Sequence, residues 1–260
     1  MSTATLTLPI AAAPSASASS RPGLGRLTRV ELRKMLDTRA GFWLQVATVG
    51  LTVVAVIIRL AVGNPQDHTF RSVLEVGLAP ASVLLPVVGI LLVTSEWSQR
   101  TGLITFTLVP VRSRVLAAKL LASLVLALAA VVVCLAIVVV GVLLAGPGVD
   151  GTWSGAATMV GQSAVYVTAS IVTGVAFGAI LLASAPAIVA NFALPTAWAA
   201  LATIPVFASV APWMDPSFDG MSGNVLSSTQ WAHAGTSIAL WTVLPLLLGA
   251  WRITRREITA

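Results

Sequence analysis

The chain has 260 residues, of which 57% are hydrophobic and only 9% are charged. A soluble domain carries about a quarter charged residues, so this composition excludes an ordinary soluble protein and indicates an integral membrane protein. The net charge of +6 would favour nucleic-acid binding in a soluble chain, but in a membrane protein it must first be examined as a determinant of topology.

The N-terminal segment, residues 1–25, is rich in Ala, Ser, Thr and Pro and carries no charge before Arg21. This composition predicts a disordered tail. A cleaved signal peptide is the alternative, but no basic segment precedes the short apolar run, and Pro9 interrupts that run.

Residues 26–39 predict an amphipathic helix that leads into the first membrane span. At helical spacing, Arg26, Arg29, Arg33 and Asp37 form a polar stripe, with apolar residues spread over the other side. The apolar arc is interrupted by charged residues, namely Glu31, Lys34 and Arg39. A helix lying in the membrane interface fits this pattern best.

Six apolar stretches predict transmembrane helices, because each approaches or exceeds the ~20 residues that cross a bilayer. The second contains Pro80 and Pro86, which predict a bent helix, and the fourth contains Gly174 and Gly178, a spacing that lets helices pack closely. The predicted spans cover residues 42–62, 72–94, 115–145, 157–183, 188–210 and 235–251.

The segment between the second and third spans predicts a surface elbow. Glu96 and Arg100 stand one helical turn apart before it, and its middle, from Gly102 to Val111, is about half the length that a span requires. Basic residues follow it: Arg112, Arg114 and Lys119. These charges predict that the segment lies along the membrane surface.

The basic residues are sorted by loop. Six precede the first span, four lie in the elbow and three follow the last span, which leaves only Arg59 and Arg71 of the 15. This distribution is typical of the positive-inside rule and predicts that both termini and the elbow are cytoplasmic. The basicity therefore indicates topology and contact with anionic lipid, not nucleic acid.

One cysteine, Cys134, falls within an apolar run and predicts a small buried side chain with no disulfide partner. His68 and His233 both lie in predicted outer segments, and no spacing typical of a metal site is present in the sequence. The sequence therefore gives no support for a metal or another cofactor.

The order of these parts resembles the permease subunits of ABC type-2 exporters. The resemblance lies in the N-terminal helix with Glu31, Lys34 and Arg39, and in the elbow. In that family the elbow contacts the ATPase, so the resemblance implies coupling roles for Glu96, Arg100, Gly102, Arg112, Arg114 and Lys119. It also implies that residues 26–260 form one six-span permease domain.

The resemblance implies a cell-membrane exporter with two permease subunits, forming a homodimer or heterodimer, and two ATPase subunits. The second and fifth spans would line much of the route. Lys34 and Lys119 are the chain's two lysines and neither follows a glycine, so no phosphate-binding loop is present and hydrolysis is expected in a separate subunit. Few charges fall within the spans, which favours an amphipathic cargo.

Other classes of function remain open. A transporter or channel that is not driven by ATP would need a polar path through the membrane, and the sequence offers few residues for one. An intramembrane enzyme would need an inward-facing set of catalytic groups, and none is evident. A membrane-bound immunity or sensor protein needs only to bind, so the sequence does not separate it from a permease.

Overall fold

The computed structural model describes residues 23–64, 68–98, 112–146, 151–216, 218, 221 and 223–255. Helices account for nearly all of them, and none of these residues lies in a strand. The expected tail lies almost wholly outside the described residues, as does the middle of the elbow, residues 99–111. The all-helical fold expected from an amphipathic helix and six transmembrane helices is confirmed for these residues.

The described residues form eight α-helices, and two short 3-10 helices lie between the sixth and the seventh (Pro205–Phe207 and Ala211–Trp213). In chain order the α-helices are α1 (Leu24–Asp37), α2 (Arg39–Val62), α3 (Phe70–Ser98), α4 (Arg112–Ala145), α5 (Ala156–Leu181), α6 (Ser184–Ala202), α7 (Ser228–Ile238) and α8 (Leu244–Arg255), with a π-helical segment (Ala239–Val243) that joins α7 to α8.

Six of the described helical stretches are long and apolar enough to cross a membrane. Five are α2 to α6 in whole or in large part, and the sixth runs from Ser228 to Arg255 through the π-helical segment. The prediction of six candidate spans is therefore confirmed.

The two largest errors in the predicted boundaries both arise at local backbone signals. The fifth span was expected to continue to Val210, but α6 ends at Ala202 and Ile204 is extended before Pro205, because a residue before proline disfavours helical geometry. The sixth was expected to begin at Gly235, but α7 begins at Ser228 because Ser227 and Gln230 form a capping box.

The centre of the bundle is the contact of α3 with α5. A Cβ atom added at Gly174 would overlap the Pro86 carbonyl, and one added at Gly178 would lie 3.2 Å from the Ile90 backbone. The predicted close packing at these two glycines is confirmed. The main apolar core adjoins this contact and includes Cys134, which is buried as expected.

One end of the bundle is called the basic end here, because the basic residues of α1, α4 and α8 adjoin it. A second apolar cluster lies at this end. The cluster joins Val93 of α3, Leu182 after α5 and Ile253 of α8, with Leu120 of α4 against it. A hydrogen bond of 2.7 Å between the hydroxyls of Thr94 and Ser184 brings the start of α6 to the same end.

Candidate functional site

Four charged side chains meet at the basic end, where α1 lies against α3 and α4. Lys34 Nζ is 2.7 Å from Glu31 Oε1 and 2.7 Å from Glu96 Oε1. Lys119 Nζ is 2.7 Å from Glu31 Oε2 and 3.1 Å from Glu96 Oε1. Each lysine therefore contacts both glutamates. This cluster of four ion-paired side chains is called the charge lock here.

Three of the four residues in the charge lock are buried. Glu31, Glu96 and Lys119 are 5%, 6% and 4% exposed, whereas the Lys34 side chain is 38% exposed. A buried charge is tolerated when it is paired and hydrogen-bonded, and two acids with two lysines leave the set without net charge. Lys34 is the residue that faces outward.

Lys119 has a complete set of acceptors. Besides the two carboxylates, its ammonium group donates to the Leu92 carbonyl oxygen at 2.9 Å. An ammonium carries three protons, and here it faces three acceptors on two other helices. Lys119 therefore fixes the start of α4 against both α1 and the end of α3.

Electrostatics favour the charged form of Lys34. Burial lowers the pKa of its ammonium group, but the hydrogen bonds that it donates to Glu31 and Glu96 and the negative charges of these two residues outweigh that effect. The pKa of Lys34 therefore lies above the ordinary value of 10.5, and the lysine stays protonated at neutral pH.

The turn between α1 and α2 positions Glu31 and Lys34. Thr38 adopts an extended conformation between the two helices, and its hydroxyl accepts a hydrogen bond from Gly41 N at 3.1 Å. A Cβ atom at Gly41 would overlap the Met35 carbonyl, so the glycine permits this close reversal. Met35 is buried on the same side of α1 as Glu31.

The structure separates the sequence-predicted site residues into groups. Glu31, Lys34, Glu96 and Lys119 come together, and Glu96, for which the resemblance implies a coupling role, lies between two lysines. Arg39 is exposed and Arg114 is half-buried, and the ion pairs of the described residues include neither. The remainder lie outside the description, namely Arg100, Gly102 and the Arg112 side chain.

Sequence reasoning missed the convergence itself. Lys119 lies seven residues after Arg112, within an otherwise apolar stretch. A lysine within an apolar stretch needs a buried acidic partner. Glu96, near the end of the preceding span, was the signal in the sequence that could have identified such a partner. The partners are 62 and 88 residues apart in sequence, too far for a helical periodicity to reveal them.

The geometry supports a structural role for the charge lock, because its ion pairs join α1, α3 and α4. Both carboxylates are occupied by lysines, and the described residues contain no group of three His, Cys, Asp or Glu that could hold a metal ion. What the charge lock can do is hold three helix segments together as one unit.

No protein-family model matches the chain, and no curated protein matches it significantly.

Proposed function

We propose that this chain is a permease subunit of an ATP-driven ABC exporter in the cell membrane. Its support is the combination of six candidate spans, a basic end and a buried charge lock beside a predicted surface elbow. A separate ATPase would supply the energy, and a second permease subunit would complete the transporter.

The observation that carries the proposal is the position of the charge lock relative to residues 99–111. Glu96 ends the span before this segment and Lys119 lies near the start of the span after it, and Glu31 and Lys34 of α1 join both. A displacement of this segment or of α1 would therefore move α3 and α4 together. Packed helices that move as rigid elements are a common basis of transport cycles.

The basic end supports the proposed orientation. Among the described residues, every Lys and Arg lies on α1, near the start of α2 or α4, or near the end of α8, except Arg59 and Arg71 near the opposite end. Cytoplasmic segments carry the excess of basic residues in membrane proteins. We therefore propose that both termini and α1 lie in the cytoplasm or at its membrane interface.

In the proposed coupling, one set of residues holds the helices together and another set contacts the ATPase. The charge lock would hold α1, α3 and α4 in register, and the outward-facing Lys34 would be its part nearest the ATPase. The contact surface itself would be formed by Arg39, Arg100, Gly102, Arg112 and Arg114. Cation-rich elbows suit an acidic partner surface, since complementary charge sets orientation and association rate.

Affinity purification from native membranes tests this function. The tagged chain should copurify with a nucleotide-binding subunit, and the complex, but not the chain alone, should hydrolyse ATP. The matched control is an equally abundant, unrelated six-span protein with the same tag. Recovery of the chain without any ATPase, in a detergent that preserves known ABC complexes, would contradict the proposal.

The orientation has its own test. In a Cys134→Ser background, a cysteine at Ser154, which is exposed before α5, should react with an impermeant thiol reagent added outside intact cells. A cysteine at Ser113, which is exposed at the start of α4, should react only after the cells are opened. The reverse pattern would invert the proposed topology.

A further inference from the structure

A groove of about 480 Å³ lies between α2 and α3 near the end of the bundle opposite the basic end. It is called the lateral groove here. On α2 its lining recurs at intervals of three and four residues, so these residues share one face of the helix. Ile58 and Val62 are 56% and 83% exposed, so the groove opens away from the bundle. The described residues that line it are Ala55, Ile58, Arg59, Val62, Gly63 and Val76.

The guanidinium group of Arg59 lies over the end of α2. A Cβ atom added at Gly63 would overlap Arg59 Nη1 and would lie 3.3 Å from Arg59 Cζ. The arginine therefore extends along the helix to the level of residue 63, and the glycine leaves room for it. The carbonyl end of a helix favours a cation, so the charge is stabilised at this position.

The length of α2 sets the depth of this charge in a membrane. The helix has 24 residues and is therefore about 36 Å long. This length lies between the ~30 Å of the hydrocarbon core and the ~40–45 Å of a bilayer with its headgroups. Arg39 begins α2 and the Arg59 guanidinium reaches its end, so both cations lie among the lipid headgroups when α2 crosses the bilayer.

Below the guanidinium group the lateral groove is apolar. From Gly63 to Ala55 it follows α2 for about 12 Å, most of the ~15 Å of hydrocarbon in one half of a bilayer. Just deeper, α2 and α3 are joined where Thr52 Oγ1 donates a hydrogen bond to the Gly77 carbonyl at 3.1 Å. The groove therefore has the length and polarity that suit an acyl chain entering from the headgroup side.

The lining favours a headgroup with net negative charge. Arg59 is the one charged side chain among the described residues that line the groove. Glu75 precedes Val76 in sequence, but its carboxylate lies near Gly223, where an added Cβ atom would be 3.0 Å from Oε2. The amine of a zwitterionic lipid therefore meets no carboxylate in the described lining. A guanidinium group has five N–H donors and matches the geometry of a phosphate, so it can bind one in addition to its contacts within the chain.

We propose that the lateral groove binds one anionic phospholipid, with the phosphate on Arg59 and one acyl chain along Ala55, Ile58 and Val62. This inference requires that α2 crosses a membrane, and it is independent of the charge lock and of ATP-driven export. Among the described residues the groove takes one side chain from α3 and none from α6. It is therefore separate from the route that the resemblance implies, and the lipid is a resident of the bundle and not a cargo.

Fluorescence quenching by nitroxide-labelled lipids tests the proposal. In a Cys134→Ser background, a bimane fluorophore is attached to a cysteine replacing Ala61, which is exposed beside the groove without lining it. Nanodiscs of phosphatidylcholine receive a small fraction of phosphatidylglycerol or phosphatidylcholine with a nitroxide on the acyl chain. Half-quenching should need about tenfold less phosphatidylglycerol, as a hydrogen-bonded charge pair implies. Equal quenching by the two lipids would overturn the proposal.

A second reporter position separates a site from general attraction to the membrane half. Leu144→Cys places the fluorophore at the exposed end of α4, at the same end of the bundle but away from the lateral groove. The two lipids should quench almost equally there. The same preference for phosphatidylglycerol at this position would refute the inference.

Variants assign the lipid preference to the arginine. Arg59→Met keeps an unbranched side chain, removes the charge and should abolish the preference that the reporter at position 61 records. Arg71→Met removes an exposed arginine at the same end of the bundle and should leave the preference unchanged. An undiminished preference in Arg59→Met would refute the site.

Elution of each variant as a single species in size-exclusion chromatography checks that it is folded. If Arg59→Met does not fold, Gly63→Ala decides, because its methyl group takes the place of the guanidinium group. That displacement should lower the preference at least about twofold, since the hydrogen bonds to the phosphate depend on position. An unchanged preference in Gly63→Ala would equally contradict the proposal.

Discussion

The two ends of the bundle are held by different kinds of interaction. At the basic end, four alternating charges join α1, α3 and α4. At the opposite end, a neutral side chain, Gln162, holds the segment before α7: its amide donates to the Asn224 carbonyl, and its oxygen accepts from Leu226 N at 3.2 Å.

This difference indicates where separation of the helices costs the most free energy. Neutral hydrogen bonds to backbone hold a connecting segment in place at modest energy, about 1 kcal/mol each. A buried charge set adds little net stability when complete, but its disruption is costly because it leaves an unpaired buried charge. The basic end is therefore the end at which helices are least free to separate.

The largest effect is expected from Lys119→Met. The change leaves Glu31 and Glu96 buried beside one lysine, and breaking a buried ion pair costs about 3–5 kcal/mol. In a Cys134 reactivity assay in detergent, the midpoint of thermal unfolding should fall by about 10 °C. Arg114→Met, on the same helix but outside the charge lock, is the control and should shift the midpoint little.

The double variant Glu31→Gln with Lys119→Met tests whether the two residues interact. It removes one acid with one lysine and leaves Lys34 beside Glu96, so the double variant should be more stable than the sum of the two single changes implies. Additive losses would show that these residues do not interact, and would remove the charge lock from the account.

A smaller effect is expected at the opposite end from Gln162→Leu. The residue is 1% exposed, and its replacement leaves the Leu226 N–H and the Asn224 carbonyl without that partner, at about 2 kcal/mol or about 5 °C. Gln230→Leu, the same change at an exposed capping residue, should cost less than about 1 kcal/mol. If Gln162→Leu destabilised the chain more than Lys119→Met, the contrast between the two ends would be reversed.

The smallest effect is expected from Lys34→Met, because its side chain is 38% exposed, so water reaches the place that it leaves and screens the two carboxylates, which both keep Lys119. We expect a loss of about 1 kcal/mol. Since the pKa of Lys34 is raised on folding, its contribution is fully present below pH 10.5 and is lost as the pH rises through the folded-state pKa. The difference in unfolding midpoint should therefore stay constant from neutral pH to about 10 and shrink above it; a difference that already vanished near pH 8 would contradict the pairing.

The sequence predicted the spans well because a helix that crosses a bilayer must be apolar over most of its length, a property that can be read residue by residue. It predicted their ends less well, since Pro205 stops one helix early and Ser227 starts another early through local backbone chemistry. Each of the four residues of the charge lock was a candidate from the sequence, but their contact with one another was not predicted. That contact depends on how α1 folds back at Thr38, and hydropathy contains no information about that reversal.

The central claim is that the charge lock transmits movement from the ATPase to the spans, and one measurement tests it most directly. In the copurified complex, with Cys134→Ser, a cysteine replacing half-buried Ser82 in the middle of α3 reports on that span through its rate of reaction with a maleimide. With the charge lock intact, ATP should change this rate several-fold. With Glu31→Gln and Lys119→Met the complex should still assemble and hydrolyse ATP, but the rate should no longer respond. An equal response to ATP in both forms would contradict the account.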